Sequence, residues 1–245
     1  MLYAWIPYLR YVGLNGSLTN GKATDKSDID LMVVAAGGHI FTVRFFIISV
    51  LWFYNLKRNR RNIAGRLCVN YFITDDNLDI KPHTKRVAGF FSNMIALVDS
   101  LTCNSRAKHA DRGENGSMTV TAVIPTELTR VEGSLSRIRD SRLRGNDTIT
   151  MRELIILNNK WILEYKIPIS AAQEKINQSV KPLVRPYQDV RTCVEFLLLP
   201  ISDALEILLK KIQLWKIARH PLTASNSDKI IVSDKELMFH PRKSP

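Results

Sequence analysis

Two aspartates stand two apart in the run Ser27-Asp28-Ile29-Asp30-Leu31-Met32-Val33-Val34. The apolar, β-branched residues after them mark a strand. Side chains alternate along a strand, so Asp28 and Asp30 project from one face. Paired carboxylates suit Mg2+, a hard cation that takes oxygen ligands alongside substrate phosphates. Two such ions would clamp the attacking and leaving oxygens of a phosphoryl transfer. Upstream, Tyr11 to Leu14 is a short apolar run that stops at Asn15-Gly16-Ser17. A glycine lets backbone come close to a phosphate, and its neighbouring amides with a serine hydroxyl can cradle the anion. Lys22 and Lys26, in the polar spacer between the two motifs, stand where a triphosphate would meet them. Lysines in such a spacer are also ordinary solvated residues.

The elements that must position these residues alternate. Residues 3–9 read as a short helix, 28–35 as a strand, 41–56 as an apolar helix, 66–74 as a second strand and 86–101 as a helix on Val87, Phe90, Phe91, Met94, Ile95 and Val98. That order is the pattern of a small α/β domain over residues 1–102. Residues 103–149 lose periodicity and read as a loop-like insert. Helical signals return at Thr150-Met151-Arg152-Glu153, a capping box, and run to Pro168. A second long helix opens at Pro200, with Leu205, Leu208, Leu209, Ile212, Trp215 and Ile217 as its apolar positions. Residues 150–221 are thus a helical region, and 222–245 a tail with a hairpin around Ser233-Asp234-Lys235. Trp161 and Trp215 read as core.

This arrangement resembles the nucleotidyltransferase superfamily typified by DNA polymerase beta. The resemblance rests on Gly16-Ser17, a ten-residue spacer, and Asp28-Ile29-Asp30 leading into an apolar strand, with Ser27 before the triplet. It implies an α/β (α+β) fold with a small mixed sheet, flanking helices and a helical C-terminal region. It also implies transfer of a nucleoside monophosphate from an NTP, ATP by default, to a hydroxyl acceptor. In that reading Asp28 and Asp30 hold two Mg2+ ions, and Gly16, Ser17 and Lys26 hold the nucleotide. Members usually carry a third carboxylate on a later strand. Here Asn70 stands where that acid is expected, and Asp79, in Leu78-Asp79-Ile80, is the nominee for the role. Residues 63–80 and 233–241 are similar to bacterial nucleotidyltransferase-domain proteins. Residues 118–148 resemble an in-frame translation of a dispersed palindromic repeat of bacterial genomes, through Val123-Ile124-Pro125 and the run from Asp140 to Thr148.

Composition narrows the classes. Of 245 residues, 45% are hydrophobic and 24% charged, which excludes a disordered or collagen-like chain. Three separated cysteines without a CxxC pair argue against a zinc ribbon or a secreted disulfide scaffold and for a reducing, cytoplasmic setting. The five histidines show no ligand spacing, and no Ser-His-Asp pattern appears. The first ten residues lack the pattern of a signal peptide. Residues 40–56 are apolar but fall short of a membrane span and are interrupted by Arg44 and Asn55, so stable membrane insertion is not expected. A net charge of +12 favours polyanionic partners. Arg58, Arg60, Arg61 and Arg66 form a basic turn that suits either solvent or a nucleic-acid backbone. The acceptor stays open among an RNA end, a protein side chain and a small molecule. A second class of function is a catalytically inactive binding or antitoxin-like module on the same fold, or the product of a decayed gene.

Removing residues 104–147 tests the insert. The shortened chain is expected to keep a cooperative thermal transition, and its loss would make the segment structural.

Overall fold

The computed structural model describes residues 3, 5–58, 63–99, 150–168, 170–179, 186–219 and 230–239. The insert expected at 103–149 therefore lies outside the described residues, as do Arg60 and Arg61. The described strands are β1 (Leu9–Asn15), β2 (Ile29–Ala35), β3 (Leu67–Thr74), β4 (Ile95–Asp99), β5 (Ile231–Val232) and β6 (Glu236–Met238). They form one six-stranded sheet in the order β4-β1-β2-β3-β6-β5. The sheet is mixed: β2 and β3 are parallel, and every other pair is antiparallel. A parallel pair needs a crossover, and α1 (Ile40–Phe53) supplies it.

β2 shows how the sequence sets the two faces. Leu31, Val33 and Ala35 enter one core, against Ile40, Phe41, Val43 and Ile47 of α1. Met32 and Val34 enter the other, against Val87, Ala88 and Phe91 of α2 (Lys85–Ser92) and Met151 and Ile155 of α3 (Met151–Asn158). Burial on both faces explains why the strand reads as an apolar run and not as an alternation. Asp30 belongs by parity to the Met32 face, at the end of the strand where that core stops.

The C-terminal half is woven onto this sheet. Behind α3 come α4 (Trp161–Glu164), α5 (Ala171–Ser179), α6 (Pro186–Leu198), a 3-10 turn at Leu199–Ile201 and α7 (Ser202–Ala218). α7 packs on α1. Its Glu206 accepts hydrogen bonds from the amides of Phe41 (2.9 Å) and Thr42 (2.7 Å) and from the Thr42 hydroxyl (2.6 Å). His39, the residue that flanks α1, makes no side-chain cap. A glutamate 164 residues away thus satisfies the orphan donors of the crossover helix.

Several expectations are corrected. Residues 3 and 5–8 are not helical, and strand β1 already begins at Leu9. The helix expected over 86–101 stops at Ser92, and residues 95–99 become β4. Its apolar spacing fits either period, and the edge of β1 decides by pairing Tyr11 with Asp99 and Leu14 with Ile95. The helix from Thr150 has the expected capping box but breaks at Asn159. There the side-chain amide donates to Leu78 O (2.6 Å) and accepts from the Ile80 amide (2.8 Å), tying the loop after β3 to α3. α5 and α6 lie inside the region expected to be helical, although no individual helix was expected at either place. The hairpin near 233–235 is present and more than a tail, because β6 pairs with β3. Trp161 packs against the second core, but Trp215 is exposed beneath the Arg219 guanidinium. Leu208 and Ile212 are exposed beside it, and Leu209 is the buried apolar residue of that helix. Among the described residues no helix is long and apolar enough to cross a membrane, and α1 has 14 residues.

Replacing Glu206 by Ala should lower unfolding stability by about 1 kcal/mol, the typical value of a lost helix cap. Chemical denaturation measures this, and an unchanged midpoint would show that the Glu206 bonds do not hold α1.

Candidate functional site

At the end of the sheet where β2 and β3 begin, four strand and turn segments meet. β1 ends at Asn15, which stands opposite Asp30 of β2. On the other side Asp30 is paired with Cys68 of β3. One oxygen of Asp28, one oxygen of Asp30 and the Cys68 sulfur lie within 4.8 Å of one another. The two carboxylates expected on one strand face do come together, but β2 begins at Ile29, so Asp28 stands just before the strand and Asp30 within it.

Around them the backbone is closely fitted. Gly16 has φ +84°, and a Cβ built on it would overlap the Asp30 carboxylate, 3.1 Å from its Cγ. Glycine is therefore required both for the conformation and for the approach. The turn beyond it closes with the amides of Asn20, Gly21 and Lys22 donating to the carbonyls of Gly16, Leu18 and Ser17. The amides of residues 17–19 stand outside those bonds. Asn20 donates from its side chain to Gly16 O (2.8 Å) and accepts from Asn93 (2.9 Å), and Asn93 accepts from the Ser170 amide (3.0 Å). An amide chain thus runs from α5 to the glycine turn and fixes its position.

The segment before β2 is anchored on its other side. Gly65 donates to Ser27 O (2.9 Å), and the Ile29 amide to Arg66 O (2.9 Å). Arg58 is held by its amide to Leu67 O (3.0 Å). Its guanidinium then reaches Asp28 Oδ2 at 2.6 Å and the Cys68 sulfur at 3.7 Å.

A bulge in β3 aims the next side chain. The register passes from Leu31 opposite Val69 to Met32 opposite Tyr71, so Asn70 is the extra residue. Bulges re-aim side chains in this way. Asn70 Nδ2 donates to Asp30 Oδ1 at 3.1 Å. An amide therefore occupies the position where a third acid was sought. It satisfies a carboxylate lone pair but adds no negative charge.

Electrostatics follow from this crowding. Burial pushes the Asp30 carboxyl from 3.8 up to about 6, helped by the Asp28 charge and opposed by Arg58 and the Asn70 amide. Burial likewise pushes the Cys68 thiol up to about 11, against the pull of Arg58. Burial of Arg58 works against its own charge, but Cys68 and Asp28 outweigh it and raise its pKa.

The remaining nominees fall differently. Ser17 is half-buried beside Gly16. Lys26 is exposed in the turn two residues ahead of Asp28, and Lys22 is exposed as well. Asp79 is not brought to the pair. It follows the far end of β3 and forms a surface ion pair with Lys81 at 3.0 Å. Among the described residues the acids of the cluster are Asp28 and Asp30. Sequence reasoning missed Cys68 and the Asp28–Arg58 pair. The available signal was that position 68 opens the second strand as position 30 opens the first.

No protein family, curated protein or solved structure matches the chain.

Asp30 gives a testable pH dependence. Its folded pKa lies above its ordinary one, so the neutral form favours the fold. That contribution is full below about 4 and is lost as pH rises through about 6. In metal-free buffer Asp30→Asn should melt higher than the wild type at pH 8, with the gap closing toward pH 4. A gap independent of pH would contradict the raised pKa of the buried Asp30 carboxyl.

Proposed function

We propose that the protein is a metal-dependent nucleotidyltransferase, moving a nucleoside monophosphate from an NTP to a hydroxyl acceptor. The observation that carries this is the convergence of Asp28 and Asp30 beside the Gly16 turn. The glycine turn, acidic strand and following helix come in the order the resemblance implies, without the leading helix it also implies, and these three elements support the reading. The donor set fits a cation, since the two carboxylates face one another's charge and draw Arg58 in as counterion.

Asp28 and Asp30 would hold the divalent ions, two Mg2+ in the superfamily's manner. Bound there, the metal neutralises charge on the triphosphate. The amides of Ser17 and Leu18 and the Ser17 hydroxyl would donate to phosphate oxygens, with Lys26 at the rim. The acceptor hydroxyl attacks the α-phosphorus, losing its proton as the new P–O bond forms, and pyrophosphate leaves. Positioning by the fixed turn and strand supplies much of the rate. ATP is the default nucleotide. A net charge of +12 leaves an RNA end as acceptor beside a protein side chain or a small molecule.

A second reading, an inactive binding module on this fold, is favoured by Asn70 at the third-acid position and by Arg58 occupying Asp28.

Titration calorimetry with ATP, in Mg2+ and separately in Mn2+, tests the site. Cation-dependent binding is expected in the wild type and is expected to be lost in Asp28→Ala/Asp30→Ala. Equal binding in both, or none in either, overturns the metal site. Cation-dependent binding without pyrophosphate release toward any acceptor class would favour the inactive module.

A further inference from the structure

Sulfur sits where an all-oxygen site would have none. Parallel pairing puts Cys68 opposite Asp30, and its Sγ lies within 4.8 Å of a carboxylate oxygen from each aspartate. A second observation comes from the opposite strand. Asn15 faces Asp30 in register, on the side of the sheet shared by Tyr11 and Gly13. Its side chain is wholly buried, and neither the amide oxygen nor the amide nitrogen has a hydrogen-bond partner among the described residues. Buried polar groups in folded proteins are almost always paired, so the unpartnered amide opposite Asp30 has both polar atoms available to a bound group or its water.

We infer that Asp28, Asp30 and Cys68, backed by the Asn15 amide, form a mixed oxygen–sulfur site that takes a thiophilic divalent cation of the Zn2+ or Cd2+ class in preference to Mg2+. The inference rests on the reading of the two aspartates as metal ligands and adds the sulfur. Mg2+ gains little from sulfur, whereas borderline and soft ions gain much. Three protein ligands leave a fourth position for water or substrate, the pattern of catalytic zinc sites. Ligand atoms of a tetrahedral zinc site stand about 3.5 Å apart. The three side chains therefore draw together on binding, and the Arg58 guanidinium moves off Asp28 and Cys68. The Cys68 thiol gives its proton to solvent as the sulfur–metal bond forms.

The test uses the full chain with Cys103→Ser and Cys193→Ser, leaving Cys68 as the sole thiol. Cd2+ is titrated while the ultraviolet thiolate-to-cadmium charge-transfer band is followed. Mg2+ binding is measured in parallel by calorimetry. The band should saturate at one Cd2+ per chain, resist excess Mg2+, and disappear in Asp28→Asn/Asp30→Asn. Adding Cys68→Ser should weaken Cd2+ binding roughly 10–100-fold and leave Mg2+ binding unchanged. Should that variant fail to fold, the band and its dependence on the aspartates still decide. A band that persists without the aspartates is a lone thiol and overturns the inference. Mg2+ binding with no cadmium band overturns it too, while the carboxylate site stands. Binding of neither ion removes both.

Discussion

Asp28, just before β2, and Asp30, within it, hold two like charges close together, and much of the local structure answers their repulsion. Asp28 receives the Arg58 guanidinium at 2.6 Å, and Asp30 receives the Asn70 amide at 3.1 Å. Each partner is delivered by backbone. Arg58 is pinned by its amide to the first residue of β3, and Asn70 is turned inward by the bulge between Val69 and Tyr71. Gly16 completes the enclosure, because any side chain there would strike the Asp30 carboxylate. Burial first, and the Asp28 charge second, nevertheless keep the carboxyl well above its ordinary range, so the protein's own groups stabilise its charge incompletely. A divalent cation would do so more fully, and that imbalance is the physical core of the functional reading.

The frame that holds this end of the sheet is built from distant parts of the chain. The parallel β2–β3 pairing that aligns Asp30 with Cys68 depends on α1, and α1 is capped from α7 by Glu206. The glycine turn is steadied through Asn93 by the start of α5. β6 closes the far side of β3. The C-terminal half therefore helps to set the geometry of the candidate site, in addition to any pocket it could form for an acceptor.

What was legible in the sequence was local. The strand at Asp28, the crossover helix, the strand ending at Thr74 and the capping box at Thr150 all follow from short-range pattern and chemistry. Asp28 and Asp30 come together as the strand period of two leads one to expect, although Asp28 stands just before β2. Cys68 needed more: its place depends on β3 lying parallel to β2 in one register, which no local pattern states. Asn70 depends further on a bulge. The segment 95–99 became a strand because an edge was open to it, and a helical spacing could not reveal that. Asp79 matched a local apolar–acidic–apolar pattern, but the chain places it past the other end of the strand. The exposed Leu208, Ile212 and Trp215 show the same limit, since periodicity identifies a face without saying what covers it.

The proposed activity depends on Asp28 and Asp30 binding a divalent cation together. Electron paramagnetic resonance of Mn2+ measures that binding directly, because it removes the sharp six-line signal of the free ion. The wild-type chain should deplete that signal at neutral pH, and Asp28→Ala/Asp30→Ala should leave it intact. An undiminished signal with the wild type, or equal depletion by both proteins, would contradict the account.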